Sequence, residues 1–307
     1  MTGLDVIGFG ALNVDRLFQV NCIAHAEEES FIENQHETCG GSAANAIVGL
    51  ARLGCKVGFV GKVGSDREGD MQVSEFKAEG VDTSGIIHSP GRSGSVLGFV
   101  DRKGARALYI NSGVNDTIIP SEVNRDYVSQ AKYLHLTSFV GEKPFQTQLK
   151  LLETISKSVK ISFDPGAIYA KKGLTQLEPI LKRTQVAMPN RGELELITGY
   201  KEYVKGADAL IAAGVKVVAV KLGSEGSYVT NGRERFHLDA FETKTVDTTG
   251  AGDAFCAGFL YGLLNNKGIK ESGRIGNFVA SRKIRKVGAR TSLPYLKELG
   301  LFEKMVK

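Results

Sequence analysis

Asp253 follows directly on Gly250, Ala251 and Gly252 and heads an apolar run through Phe259, Leu260, Leu263 and Leu264. The two glycines and the alanine leave backbone N–H groups bare where a helix begins. Unpaired N–H groups at the positive end of a helix dipole form an anion site. A carboxylate beside such a nest is repelled by a bound phosphate, so it makes a poor phosphate ligand. It suits a base that accepts the proton of an attacking hydroxyl. The plainer alternative for Asp253 is an acidic residue complementing the helix dipole. The glycines around it, with Gly258 following, favour chemistry. A second cluster, Gly40-Gly41-Ser42-Ala43-Ala44-Asn45, opens another helical pattern. There Ser42 fits a cap and the glycines admit close approach of backbone or ligand. Asn45, one turn in, offers an amide to a sugar hydroxyl.

The elements that must hold these residues follow from periodicity. Residues 6–10 form a short apolar run ending in glycine, a first buried strand. Residues 14–20 and 28–37 alternate only partly, like strands covered on one side. A helix is expected over 42–53, with Ala43, Ala44, Ile47, Leu50 and Ala51 on one flank, then a strand at 56–60 and a helix at 70–78. Residues 95–100 and 105–110 flank the polar turn Asp101-Arg102-Lys103-Gly104 and predict a hairpin. Beyond it, strand-like runs at 133–136, 161–163, 186–188 and 217–220 alternate with helical segments, which predicts a parallel sheet with helices on both faces. A large doubly wound α/β domain therefore takes residues 1–12, 39–93 and 112–307. Residues 13–38 and 94–111 form a small β lid over the C-terminal ends of the parallel strands, inserted rather than appended.

Composition narrows the classes. The 307 residues are 42% apolar and 24% charged, the balance of a globular enzyme with a large core. A net charge of +5 is too small and too dispersed to require nucleic acid, and it suits an anionic substrate equally well. The basic stretch 267–290 has only Phe278 interleaved, so it reads as a solvated helix face. Cys22, Cys39, Cys55 and Cys256 form no CxxC pair, which fits isolated reduced thiols in the cytoplasm. The first ten residues lack a basic lead into an apolar run, unlike a signal peptide, and no stretch of about 18 apolar residues predicts a membrane span. Gly8-Phe9-Gly10 mimics a dinucleotide fingerprint. Asn13 replaces its third glycine, however, and no helical segment follows, so NAD is not expected.

In their order, the two glycine clusters resemble the two signature motifs of the ribokinase-like (pfkB) carbohydrate kinases, which include ribokinase, fructokinase, adenosine kinase and archaeal nucleoside kinases. The similarity extends over essentially the whole chain. It implies a ribokinase-like doubly wound α/β fold, mostly parallel, with a small β lid. It implies Mg2+–ATP phosphoryl transfer to a hydroxymethyl of a sugar or nucleoside, with Asp253 as base and the N–H groups of Gly250, Ala251 and Gly252 as the anion hole. Asn13-Val14-Asp15 resembles the family's N-x-D, so Asp15 would hold sugar hydroxyls and Asn13 assist. Gly40, Gly41, Ser42 and Asn45 fall on the same substrate side, with Glu142 from a Glu-x-Pro like that of ribokinases.

Asn190-Arg191-Gly192-Glu193 resembles N-x-x-E, with Asn190 towards phosphates and Glu193 organising Mg2+ through water; the same residues also fit a capping box. Residues 221–226 resemble the nucleotide loop, which puts Lys221, Gly223, Ser224 and Gly226 beside the cofactor, and they also fit a hairpin turn. Gly276-Asn277 and Val287-Gly288-Ala289 resemble the adenine-side helix and loop, with Asn277 near the base and Gly288 in that loop. Asp247, Thr249, Gly288 and Ser292 match the positions of a K+ site. A homodimer through the exposed lid edges is expected.

The acceptor stays open between sugar and nucleoside. Ser42 stands where ribokinases carry lysine, as in adenosine-kinase-like members, whereas Glu142-Lys143-Pro144 is similar to ribokinases. The run 285–288 leans towards nucleoside kinases. Phe18 and Phe139 could stack a base or fill the core. The rival from another class is a non-catalytic sugar- or nucleotide-binding regulator on the same fold. The retained Asp253 and its nest speak against it, because binding needs no base.

Overall fold

A near-continuous apolar run such as Val6-Ile7 followed by Phe9 suits a strand covered on both faces, and all three are fully buried. The computed structural model describes residues 3–306, so Met1, Thr2 and Lys307, the ends of the expected large domain, lie outside it. The strands are β1 (Leu4–Phe9), β2 (Asn13–Val20), β3 (Ile32–Gly40), β4 (Val57–Gly64), β5 (Asp82–Ser89), β6 (Gly94–Asp101) and β7 (Arg106–Asn111). They continue with β8 (Ala131–Thr137), β9 (Lys160–Asp164), β10 (Thr184–Ala187), β11 (Val217–Lys221), β12 (Ser227–Thr230) and β13 (Arg235–Leu238).

Among the described residues a nine-stranded sheet runs β13-β12-β11-β10-β9-β8-β1-β4-β5. Its pairings are parallel except β11–β12 and β12–β13, so that β12 runs against the rest near one edge. β1 sits between β8 and β4, each paired parallel to it, so the chain winds one way into β4 and β5 and the other way from β8 onward. That reversal is a topological switch point, where open α/β sheets bind ligands beyond their carboxyl ends. Alternate side chains of β1 feed two cores. Val6 joins Ile47, Phe59, Phe255 and Phe259 on one face. Ile7 and Phe9 join Phe139, Phe163 and Tyr169 on the other. Helices on both faces of a mostly parallel sheet are the predicted fold.

The second sheet is four-stranded, in the order β3-β2-β6-β7. β6 and β7 make the expected antiparallel hairpin, and β2 bridges to β6 in parallel. β2 follows Gly8-x-Gly10 directly, where a dinucleotide site would need a helix. Three strands escape the periodicity argument. β5 is half-polar, and β12 and β13 are four-residue pieces, too short to show a period. Ser42 is not a cap: it is the first residue of the helix Ser42–Arg52, whose N-cap is Gly41 with φ +106° and no side-chain bond. A side chain at Gly41 would be strained there and would press on the Ala11 carbonyl.

Candidate active site

β1, β8, β9, β10 and β11 end on one edge of the sheet, and the residues at or just past those ends include Asn13, Ser138, Asp164, Asn190 and Lys221. Over this edge starts the helix Ala251–Leu264, led by Gly250 with φ +76°. The Ala251 N–H turns back to the Thr248 carbonyl at 3.0 Å. The N–H groups of Gly250, Gly252 and Asp253 have no acceptor among the described residues. Of the expected nest, the Gly250 and Gly252 N–H groups are left open, whereas Ala251 is withdrawn by its own turn.

Asp253 stands at a junction. A cleft of about 670 Å3 reaches from it under the small sheet, and a second cavity of about 280 Å3 reaches towards Asn190 and Lys221. Ser42, Ser138, Gly252 and Asp253 line both. Burial pushes the Asp253 carboxyl up to about 7; the Asn45 hydrogen bond, Lys221 and Arg290 hold it down, and nearby Asp164 adds to the rise. Asn45 donates Nδ2–H to Asp253 Oδ2 at 2.8 Å and accepts at Oδ1 from Arg290 Nε at 2.8 Å. One N–H and one lone pair of that amide are thus engaged, so Asn45 orients the carboxylate, while the side chain still lines the large cleft where the sequence reading places a sugar hydroxyl. Arg290 is 5% exposed, also donates to the Gly40 carbonyl, and lies 3.2 Å from Glu75 Oε1. Sequence reasoning assigned it to a solvated basic face, because periodicity gives no sign of a buried counter-charge.

On the substrate side, Asn13, Asp15, Gly41 and Ser42 all line the large cleft. Asn115, absent from the sequence argument, ties this corner. It exchanges hydrogen bonds with both backbone groups of Leu12 and donates to Asn13 Oδ1 at 3.0 Å. Burial pushes Asp15 up to about 6, against the pull of Arg290. Gly40 is buried behind the cleft, and a Cβ there would lie 2.2 Å from Asp15 Oδ2. Gly40→Ala is thus expected to displace Asp15 and raise the KM of the acceptor about tenfold or more, leaving the KM of ATP unchanged; steady-state kinetics with each substrate varied would check it. Glu142 is not brought to the cleft. It is exposed, pairs with Lys172 at 2.7 Å and accepts from Gln146. The half-buried ammonium of Lys172, from the N-cap of the helix Gly173–Arg183, holds it there.

On the other side, Asn190 and Glu193 form the capping box that the sequence also allowed: Glu193 N–H donates to Asn190 Oδ1 and Asn190 N–H to Glu193 Oε2, both at 2.8 Å. Both still line the smaller cavity, with Lys221, Gly223 and Asp164. Residues 221–226 are likewise the hairpin turn between β11 and β12, with Ser224 exposed and Gly226 buried. Lys221 Nζ meets Asp164 Oδ2 at 2.6 Å. Burial alone would lower that ammonium, but Asp164, then Cys256 and Glu193, carry it above its ordinary value. The Glu193 carboxyl is raised by burial and by Asp164. Asp164 was missed, although it ends a parallel strand in Phe163-Asp164-Pro165-Gly166, a position that could have flagged it.

Asp164 Oδ1 is buried without a hydrogen-bond partner among the described residues. An orphaned carboxylate oxygen beside a second carboxylate fits Mg2+, which prefers one or two carboxylates, water and phosphates to an all-protein cage. Asn277 does not line either cavity. It is 6% exposed and donates to the Leu238 and Asp239 carbonyls at 2.9 and 3.0 Å, so it fastens the end of β13. Gly288 donates its N–H to Asp247 Oδ2 at 2.8 Å. Thr249 donates N–H and Oγ1–H to Asp247 Oδ1, and Ser292 Oγ–H donates to the Lys283 carbonyl. The Asp247 carbonyl accepts from Lys283 Nζ at 3.0 Å. With an ammonium already on Asp247, this donor set does not fit an added K+.

Three comparisons agree with this geometry. Residues 5–296 match the model of the pfkB family carbohydrate kinases. A protein of Archaeoglobus fulgidus named as an uncharacterized sugar kinase is 46% identical over 80% of this chain and 98% of its own length. The ATP-dependent ribose-1-phosphate kinase of Halopiger xanaduensis is 32% identical over 94% of each chain. The crystal structure of the ribokinase of Thermotoga maritima superposes with a TM-score of 0.86 at 26% identity, covering 98% of this chain and 99% of that one.

Proposed function

Because the chain belongs to the pfkB family of carbohydrate kinases, we propose that it transfers the terminal phosphoryl group of ATP to a hydroxymethyl of a sugar or nucleoside, with Asp253 as general base. One observation carries the reading. Asp253 lines both cavities, next to backbone N–H groups that have no acceptor among the described residues. An acceptor in the large cleft and a phosphate in the small one would meet at that carboxylate.

Asn45 holds Asp253 Oδ2, which leaves Oδ1 to take the proton of the attacking hydroxyl. Developing charge on the transferred oxygens falls on the N–H groups of Gly250, Gly252 and Asp253, each worth on the order of 3 kcal/mol. Lys221 adds a fixed positive charge on the phosphate side. Asp164 and Glu193 would hold Mg2+ through water, and the ion, when bound, neutralises phosphate charge. The small sheet, as a lid domain of residues 13–38 and 94–111, would exclude water from the transfer. A homodimer through this sheet is supported by the exposed Tyr109 and Ile110 on its edge strand β7. The use of ATP and four free cysteines agree with the cytoplasm.

The large cleft favours a nucleoside over a free pentose. Its volume of about 670 Å3 lies within the range of roughly 300–1,000 Å3 for drug-sized ligands, and Leu17, Phe18, Val96, Leu108 and Ile110 line it. Phe18, one of these, is stacked on Phe99 at 5.2 Å. The decisive experiment is ATP consumption with ribose, ribose 1-phosphate, fructose, 2-keto-3-deoxygluconate, adenosine, cytidine and inosine. We expect turnover with at least one, fastest with a nucleoside. Tight binding of one of them without any ATP consumption would make the protein a regulator instead.

A further inference from the structure

Lys283 ends the helix Ile269–Lys283 and is fully buried. Its Nζ donates to the Asp247 carbonyl at 3.0 Å and lies 3.8 Å from Asp247 Oδ2. Burying an ammonium is costly unless charge and hydrogen bonds offset it. Here Asp247 supplies both a carbonyl and a carboxylate. The same Asp247 is where two loops meet. Its Oδ1 accepts from Thr249, at the entry to the Gly250–Asp253 nest, and its Oδ2 accepts from the Gly288 N–H of the neighbouring loop. The N–H groups of Val246 and Asp247 bond to the Ile284 carbonyl, and Ser292 Oγ to the Lys283 carbonyl. A single buried positive charge therefore sits where both loops that frame the anion pocket are fastened.

Of these residues, Asp247, Thr249, Gly288 and Ser292 are the ones at which the family resemblance places a monovalent cation. A K+ ion at the Asp247 carbonyl would face, as a like charge, an ammonium that is itself fully buried and so poorly screened by water. We propose that Lys283 is a tethered internal cation that replaces K+ beside Asp247, so that this chain holds its anion pocket in shape, and turns over, without any monovalent cation. The consequence for turnover rests on the phosphoryl-transfer reading; the consequence for the folded structure does not.

The test uses the full chain in K+, Na+, NH4+ and tetramethylammonium chlorides at equal ionic strength. The wild type is expected to show the same Tm and, on its best acceptor, the same kcat within about twofold in all four salts. Lys283→Met should lower Tm in tetramethylammonium, and K+ or NH4+ should restore it in the variant alone. Its kcat should fall about tenfold or more in tetramethylammonium and recover in parallel. Lys283→Gln, which keeps a donor for the Asp247 carbonyl but no charge, gives the same reading if the methionine variant does not fold. A wild type whose Tm or kcat rises with K+ would overturn the proposal. So would charge-removed variants with wild-type Tm and no response to K+. Absence of turnover on every acceptor would sink the kinase reading alone, because the Tm series still decides the role of Lys283.

Discussion

Asp253→Asn is expected to lower kcat about a thousandfold or more while the protein folds and binds ATP as before. The amide keeps the size of the carboxyl and can still meet Asn45, but it cannot accept a proton from the substrate. The acid limb of the wild-type kcat/KM profile should lie near pH 7, since burial pushes this carboxyl up to about 7 and the base works only when ionised. The residual rate of the variant should lack that limb. Stability supplies an independent check. A folded-state value raised from 3.8 to about 7 favours the fold below pH 3.8, and the favour is lost as pH rises through about 7. Relative to wild type, Asp253→Asn should therefore gain stability between pH 4 and 8. Urea melts at several pH values would show it. Near-normal turnover in the variant would remove Asp253 from the chemistry.

Lys221→Met should be the most damaging change to stability, lowering it by about 3–5 kcal/mol. Lys221 Nζ and Asp164 Oδ2 are 2.6 Å apart with side chains only 13% and 7% exposed. Removing the ammonium leaves a buried carboxylate that already has one oxygen without a partner. The same variant should raise the KM of ATP about tenfold or more, because a Cβ at Gly252 would lie 3.3 Å from Lys221 Nζ, placing that charge beside the anion pocket. Pairing it with Asp164→Leu separates the two effects. Removing both charges should recover much of the lost stability, since apolar replacement of a buried ion pair is often neutral, yet turnover should stay low. A double variant with restored turnover would show that the pair is structural only.

Much of the fold was legible from period alone. The runs at 133–136, 161–163, 186–188 and 217–220 all mark strands of the parallel sheet, because strands buried on both faces must be apolar throughout. The hairpin around residues 101–104 announced itself by turn chemistry. β5, β12 and β13 did not, being half-polar or too short to carry a period. At the site, residues of the motifs at 13–15, 40–45 and 250–253 line one cleft. Glu142 and Asn277 do not, because each finds nearer partners that no local pattern announces.

What the sequence determined by itself is what lies close along the chain: a helix start stripped of side chains, a carboxylate in its first turn, and strands written as apolar runs. Dipole, dihedral freedom and burial pattern act over a few residues, so they can be read there. Only the tertiary structure decided which charges are buried together. Arg290 reaches Asn45, Lys221 reaches Asp164 and Lys283 reaches Asp247 across 245, 57 and 36 positions. A lysine or arginine has the same letter on a solvated face and in a sealed site. Its partner is chosen by desolvation, which exists only once the chain has closed around it.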